Sequence, residues 1–310
     1  MHSLVPFKMI NHLKKTSYSR LNWKEKICIF LFMNILRLDE YSLKKYHRNY
    51  FLNKIFPHAF KLCLDMEEFI MDLSKIIIVP SKKLSYITSH LYNNNKHKIR
   101  YIPWGLPDKQ ICGEPLINYQ KRKSTEEKKC LVLSKIIPQK GIDLLLDSFI
   151  YIEKINPIFA KNLEINICGD MSYMGDKKFK EIIEEKNKKL KIIKVNWNGW
   201  IIGQKKKDIL QNSDLFLLPS LIEPFGFCVL EAMKAGLPIV SFDTEGPRDI
   251  ITNKFGKLIK ISDYDTMVKD FGLAIIDICQ LDNYDELRNS SAEDVKKWNI
   301  NTLINNLISV

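Results

Sequence analysis

The stretch Asp214–Ile251, DLFLLPSLIEPFGFCVLEAMKAGLPIVSFDTEGPRDII, decides how the chain is read. Asp214–Pro219 is a short apolar run that Ser220–Pro224 breaks. Apolar residues then recur at Phe225, Val229, Leu230 and Met233, the spacing of one helix face, which predicts a helix over Phe225–Ala235. Gly236 stands where a glycine ends such a helix. Leu237–Phe242 is again apolar and strand-length, and Gly246 lies in the loop behind it. The order is strand, loop, helix, strand, loop, helix start. Glu223 precedes the helix and Glu231 lies inside it, with seven residues between them. This is the layout of a βαβ ligand site, in which a ligand sits beyond the carboxyl ends of parallel strands and against helix N-termini.

The same alternation extends on both sides. Upstream, Cys130–Ile136 predicts a strand, Gly141–Ile155 a helix, Leu163–Cys168 a strand, and Phe179–Lys189 a charged helix. Lys191–Trp197 predicts a strand and Gln204–Asn212 a short helix. Downstream, Gly256–Ile261 predicts a strand, Tyr264–Cys279 an amphipathic helix and Ala292–Ile308 a terminal helix. Strands that alternate with helices give a parallel sheet covered on both faces. Before it, His58–Leu73 predicts a helix, Lys75–Pro80 a buried strand, Ser81 the cap of a helix to about Asn93, and Lys98–Pro103 a second strand. The expected organisation is a partial N-terminal domain over 1–106, a polar linker over 107–128 and a second domain over 129–290. A terminal helix over 291–310 packs back toward the N-terminal domain.

At 310 residues, 45% hydrophobic and 27% charged, the chain has the composition of a globular protein with room for two domains. Its net charge of +12 is uneven. Residues 1–110 carry 19 Lys and Arg against 8 Asp and Glu, a net +11. Such a patch suits an anionic partner: lipid headgroups, a phosphorylated substrate or nucleic acid. Seven scattered cysteines without a Cys-x-x-Cys pair point to reduced thiols and a cytoplasmic setting. Ile27–Leu36, the most hydrophobic run, is half the ~20 residues that a membrane span needs. All six histidines precede residue 98, which leaves the second domain without a histidine metal site. Asp263-Tyr264-Asp265 reads as a helix cap rather than a metal motif. Gly169-Asp170 lacks the GxGxxG surround of a nicotinamide site. Trp197 and Trp200 flank Asn198-Gly199, placed either to stack on a base or to pack. The Lys205–Lys207 triplet reads as a solvated face.

With Ser134-Lys135, Lys140-Gly141, Pro219-Ser220, EPFGFCVLE (Glu223 to Glu231), AMKAGLPIVSFD and GPRDII in place, the chain resembles the family-4 glycosyltransferases. These are retaining enzymes of the two-domain GT-B fold, and the resemblance runs from about residue 66 to the C-terminus, strongest over 130–260. It implies an α/β fold of two Rossmann-like doubly wound domains, the N-terminal one incomplete, and the transfer of a hexose from a nucleotide diphosphate sugar. The donor expected is a uridine diphosphate sugar, and the acceptor a surface glycan or lipid-linked acceptor at the inner face of the cytoplasmic membrane. The basic N-terminal third would face that acceptor or an anionic membrane. Nucleic acid is not an expected partner, and no cofactor or metal is expected.

The resemblance assigns catalytic roles to Glu223, Lys135 and Lys140, and donor binding to Glu231, Gly226, Phe225, Pro224, Ser134, Gly169 and Trp200. Glu231 would accept the ribose hydroxyls and Glu223 the hexose hydroxyls. Gly226 would let the backbone approach the diphosphate, and Lys135 and Lys140 would neutralise the charge on the leaving group. The donor phosphate itself would assist the acceptor hydroxyl, so no protein nucleophile is needed. Two departures stand out: members mostly carry Arg where Lys135 stands, and Gly where Ser134 stands. Lysine meets phosphate as a point charge rather than as a fork, which weakens leaving-group stabilisation. The alternative is a truncated, inactive protein that binds a nucleotide sugar or serves as a scaffold.

Overall fold

The computed structural model describes residues 70–106, 127–170, 177–281 and 283–309. They divide into two compact units, the first ending at Pro103 and the second beginning at Trp104. The predicted helix over His58–Leu73 lies outside the described residues except for 70–73, which are helical; the Ile27–Leu36 run lies wholly outside them.

The described part of the first unit is one βαβ turn. Strand β1 (Ile77–Val79) pairs in parallel with β2 (Ile99–Tyr101) across helix α1 (Lys82–Leu91). Ser81 caps α1 by accepting a hydrogen bond from the Leu84 amide, as its position predicts. The strand predicted as buried is only half so: Ile76 and Ile78 are each 41% exposed. Among the described residues this sheet has two strands, and α1 packs on one face of it.

The second unit is a six-stranded parallel sheet in the order β5-β4-β3-β6-β7-β8. Its strands are β3 (Lys128–Leu133), β4 (Leu163–Cys168), β5 (Lys194–Gly199), β6 (Leu215–Leu218), β7 (Ile239–Phe242) and β8 (Gly256–Ile259). Numbered within the unit, this is the order 3-2-1-4-5-6 of a doubly wound nucleotide-binding fold. The chain begins in the middle at β3, runs outward to β5, then crosses back to β6 beside its starting point. A crevice therefore opens beyond the carboxyl ends of β3 and β6. The middle strands are buried on both faces, as their unbroken apolar runs require: Cys130–Val132, Leu215–Leu218 and Ile239–Phe242 expose almost nothing.

The connecting helices are α2 (Ile142–Ile155), α3 (Pro157–Lys161), α4 (Lys177–Lys189), α5 (Gly203–Gln211), α6 (Phe227–Lys234), α7 (Pro247–Ile250), α8 (Tyr264–Cys279), α9 (Tyr284–Asp294) and α10 (Ile300–Ile308). Helix α6 begins two residues after the apolar pattern does, because Gly226 precedes it at φ 102. It ends as predicted at Gly236, whose amide donates to Met233 O while that of Leu237 donates to Ala232 O. Asp263 caps α8 through the Thr266 amide, the role expected of it.

Two predicted elements need correction. The strand expected over Lys191–Trp197 starts at Lys194, because the Glu153 carboxylate takes the amides of Lys191, Ile192 and Ile193 and holds that segment as a loop. The single helix expected over Ala292–Ile308 is two, α9 and α10, parted at Trp298 and Asn299. Leu106 donates to Trp298 O and accepts from the Ile300 amide, which draws the chain into an extended bridge there. Asn299 then caps α10 by accepting from the Thr302 amide. Apolar spacing carries through such a break, whereas the bridge comes from a residue nearly 200 positions away.

One face of the sheet is pinned by a charge cluster centred on the buried Lys186. Lys186 of α4 donates to Asp147 Oδ2 of α2 (2.6 Å), to the Asp143 carbonyl (3.0 Å) and to the Tyr264 hydroxyl of α8 (2.8 Å). The Tyr264 hydroxyl in turn donates to Asp147 Oδ2. Burial, with the nearby charges of Asp143 and Asp147, pushes the Tyr264 phenol up, so it stays a donor. Removing one member of a buried ionic set strands the others in low dielectric. Replacing Lys186 by Met should therefore cost about 3 kcal/mol of stability, read by chemical denaturation. An unchanged midpoint would contradict this account of the cluster.

Candidate functional site

The residues singled out by the sequence meet at the β3/β6 crevice. After β3 the chain passes through Ser134 and Lys135 to a 3-10 turn over Pro138–Lys140, then enters α2 through Gly141. Gly141 has φ 61, and a Cβ there would collide with the Pro219 carbonyl oxygen beyond β6. No other residue fits both the left-handed backbone and the contact. The Leu221 amide donates to Gln139 O (2.9 Å) across the same gap. The two loops are thus stitched backbone to backbone, and the Lys-Gly pair of the sequence is explained by that seam.

On the seam sits the central contact. Lys140 Nζ lies 2.7 Å from Glu223 Oε2, with the two side chains 21% and 12% exposed. Burial pulls the Lys140 ammonium down, but the charge and hydrogen bond of Glu223 outweigh it and hold its pKa above lysine's usual value. The Glu223 carbonyl accepts from the Gly246 amide (2.8 Å), and a Cβ on Gly246 would run into the Phe225 backbone. Three strand-end loops therefore converge on Glu223, and Pro224 restricts its backbone further.

Beyond Gly226, which lies buried at the N-terminus of α6, the helix presents Glu231. Its Oε1 is 2.6 Å from Lys206 Nζ on α5, both side chains being partly exposed. Cys228, in the first turn of α6, lies within the fields of both pairs: Glu223, Lys140, Glu231 and Lys206. Burial foremost, and then Glu223, push its thiol up to about 12. It is a neutral group in a pocket of balanced charges.

The remaining predicted site residues divide. Ser134 and Lys135 stand in the loop after β3, the Ser134 hydroxyl donating to Lys135 O (2.7 Å). Gly169 backs this loop from the end of β4, where a Cβ would strike the Ser134 carbonyl; packing alone accounts for a glycine there. Trp200 follows β5 and is 67% exposed at the sheet's carboxyl edge. Trp197 is tied away by its indole N–H to Asn187 Oδ1 (3.2 Å). Phe225 is buried, its ring packed against Phe227, Trp104 and Trp298, so only its backbone faces the loop.

Two features escaped the sequence reading. Lys206 belongs to a triplet that reads as a solvated face, yet it shares the side of α5 with Ile209 and Leu210, three and four residues on, and that periodicity is the signal that finds it. Arg248 forms a two-pronged pair with Asp243 after β7, both bonds at 2.6 Å. Their spacing of five across a loop carries no recognisable pattern. Among the described residues, no group of three or more His, Cys, Asp or Glu is placed to hold a metal ion.

The parallel sheet of order 3-2-1-4-5-6, with its charged crevice at the switch point, is a Rossmann-type fold, and the solved structures that share it make it GT-B-like. Comparison with known proteins agrees. A family model described as "Glycosyl transferases group 1" matches residues 115–298, and the chain belongs to that family. It is 28% identical over 186 residues to an uncharacterized glycosyltransferase of Methanocaldococcus jannaschii, covering 57% of this chain and 45% of the relative. It is 30% identical over 138 residues to the UDP-Gal:alpha-D-GlcNAc-diphosphoundecaprenol alpha-1,3-galactosyltransferase of Escherichia coli, covering 44% of this chain and 34% of the relative. The chain thus spans less than half the length of either. Anabaena HepE, solved with UDP and glucose, shares the fold: TM-score 0.61 at 15% identity, over 80% of this chain and 66% of that one.

Two outcomes test the seam. Replacing Gly141 by Ala should destabilise the unit by about 2–4 kcal/mol in chemical denaturation, since it adds both a strained backbone and a backbone clash. The Lys140 pair has a defined sign in pH. Because the folded pKa is raised, its contribution is complete below the unfolded value near ~10.4 and is lost as pH rises through the higher folded value. A wild type compared with Lys140→Met should keep a constant stability difference to about pH 10 and lose it above.

Proposed function

We propose that this chain transfers a hexose from a uridine diphosphate sugar to a lipid-linked or surface-glycan acceptor, with retention of configuration, in the manner of the family-4 enzymes. The observation that carries this reading is the placement of Lys140–Glu223 and Glu231 around the N-terminus of α6, at the topological switch point of a nucleotide-binding sheet.

Each group has work to do there. Glu231 accepts the ribose hydroxyls. The amides after Gly226, with the helix dipole behind them, receive the diphosphate. Glu223 accepts hexose hydroxyls, and Lys140 beside it has further N–H donors for the departing phosphate, reinforced by Lys135. In the reaction, the acceptor oxygen bonds to the anomeric carbon as the bond to the phosphate oxygen breaks. The acceptor's proton passes to that phosphate oxygen, so the protein supplies charge and orientation and no nucleophile. Ser134, Gly169, Pro224 and the Phe225 backbone shape the loops around these groups, and Trp200 stands at the edge where a base would lie. No metal or cofactor enters this scheme.

The donor and acceptor classes are supported by the likeness to HepE, solved with UDP and glucose, and to the E. coli enzyme whose name specifies UDP-Gal and a diphosphoundecaprenol acceptor. The excess of positive charge in residues 1–110 suits a phosphate-bearing acceptor or peripheral contact with an anionic membrane on its cytoplasmic side. No helix among the described residues is long and apolar enough to cross a membrane.

The test is nucleotide release from a panel of sugar nucleotides. The wild type should turn over one uridine diphosphate sugar in preference to the others. Glu223→Ala should lower that rate by about a hundredfold or more while UDP binding changes little. Absence of release from every sugar nucleotide would sink the transfer reading, and binding without release would favour a nucleotide-sugar binder.

A further inference from the structure

We propose that Lys206 is a positioning residue for the ribose of the donor nucleotide, acting through Glu231. The inference rests on the reading that Glu231 takes the ribose hydroxyls, and it adds a residue that motif resemblance does not supply.

The geometry comes first. Lys206 Nζ and Glu231 Oε1 are 2.6 Å apart, on two helices and 25 residues apart in sequence. Their side chains are 30% and 27% exposed, so the bond sits at the lip of the crevice rather than in free solvent. The surrounding sequence makes the contact deliberate. Lys206 lies on the side of α5 that carries Ile209 and the buried Leu210, and Ile209 packs against the core around α6. A lysine on the solvent side of this nine-residue helix could not reach Glu231.

The pair does two things for a ligand. A glutamate side chain rotates about three bonds, and holding it still costs free energy that a ligand would otherwise have to supply. Lys206 fixes one carboxylate oxygen. A carboxylate has about four lone-pair sites, so an ammonium on Oε1 leaves Oε2 and further sites open to a vicinal diol. Lysine and ribose therefore do not compete; the first aims the acceptor for the second. The pair also balances charge. Around Cys228 stand two carboxylates and two ammonium groups, Glu223 with Lys140 and Glu231 with Lys206. Without Lys206 an arriving diphosphate would meet one positive charge fewer beside Glu231.

These two effects separate experimentally. A lost charge weakens every nucleoside diphosphate alike. Lost aim weakens the ligand with both hydroxyls most. We would measure calorimetric affinities for UDP and 2′-deoxy-UDP on the full chain, as wild type, Lys206→Met and Lys206→Arg, with thermal unfolding as the control for folding. The expected result is a wild type that prefers UDP. In Lys206→Met, UDP affinity falls about tenfold and 2′-deoxy-UDP affinity falls much less, so the preference shrinks. Lys206→Arg, which can still bond the carboxylate, should retain most of the preference. An equal loss for both ligands, or unchanged UDP affinity in Lys206→Met, would overturn the proposal while leaving the donor reading intact. A wild type that binds neither nucleotide would overturn the donor reading itself, and this inference with it.

Discussion

The contact on which the rest depends is the bond between Lys140 and Glu223. It joins residues 83 positions apart, across the one place in the sheet where neighbouring strands leave in opposite directions. In water such a pair is worth little; here both side chains are mostly shielded and their backbones are already fixed, so little entropy is lost in making it. The seam beneath it does the fixing. Gly141 against Pro219, Gln139 against Leu221 and Gly246 against Glu223 bring three loops within hydrogen-bond range of one another. Each glycine stands where a side chain would force the loops apart. The same close approach that leaves no room for a Cβ creates the charged crevice.

Rigidity of the scaffold follows from the same logic. The inner strands are apolar on both faces, and the helices that cover them are locked by a small number of polar ties. Lys186, Asp147 and Tyr264 join three helices on one side. On the other, Asp214 accepts the Lys129 amide while Arg288 lies beside it, tying the start of β6 to β3 and α9. The first set also reaches the Asp143 carbonyl in the first turn of α2, next to the seam. These sets hold the frame against which the site's own loops are aligned.

Much of this was legible in the sequence, for reasons that can be named. Asp214–Ile251 combined a strand-length apolar run, a helical period and a glycine stop, and each is a local property of the chain. The pairing of Glu223 and Glu231 around one helix was readable because both belong to one βαβ unit. What escaped was non-local. The bridge from Leu106 to Asn299 splits a helix that periodicity carries straight through. The grip of Glu153 on three amides delays β5. Phe225 is assigned to donor binding by the resemblance, yet the rings of Trp104, Phe227 and Trp298 take its side chain into the core. Lys206 is the reverse case. A lysine within a run of three reads as solvated until the helix it belongs to is turned to face its neighbour.

The central claim is that one crevice, at the carboxyl ends of β3 and β6, holds the whole of a nucleotide sugar. The most direct measurement is an experimental structure of the chain with a uridine diphosphate sugar bound. The account predicts ribose hydroxyls on Glu231, the diphosphate at the amides following Gly226 within reach of Lys140, and the hexose beside Glu223. A nucleotide bound away from the β3/β6 crevice, or seated there with Glu231 and Lys140 turned aside, would contradict it.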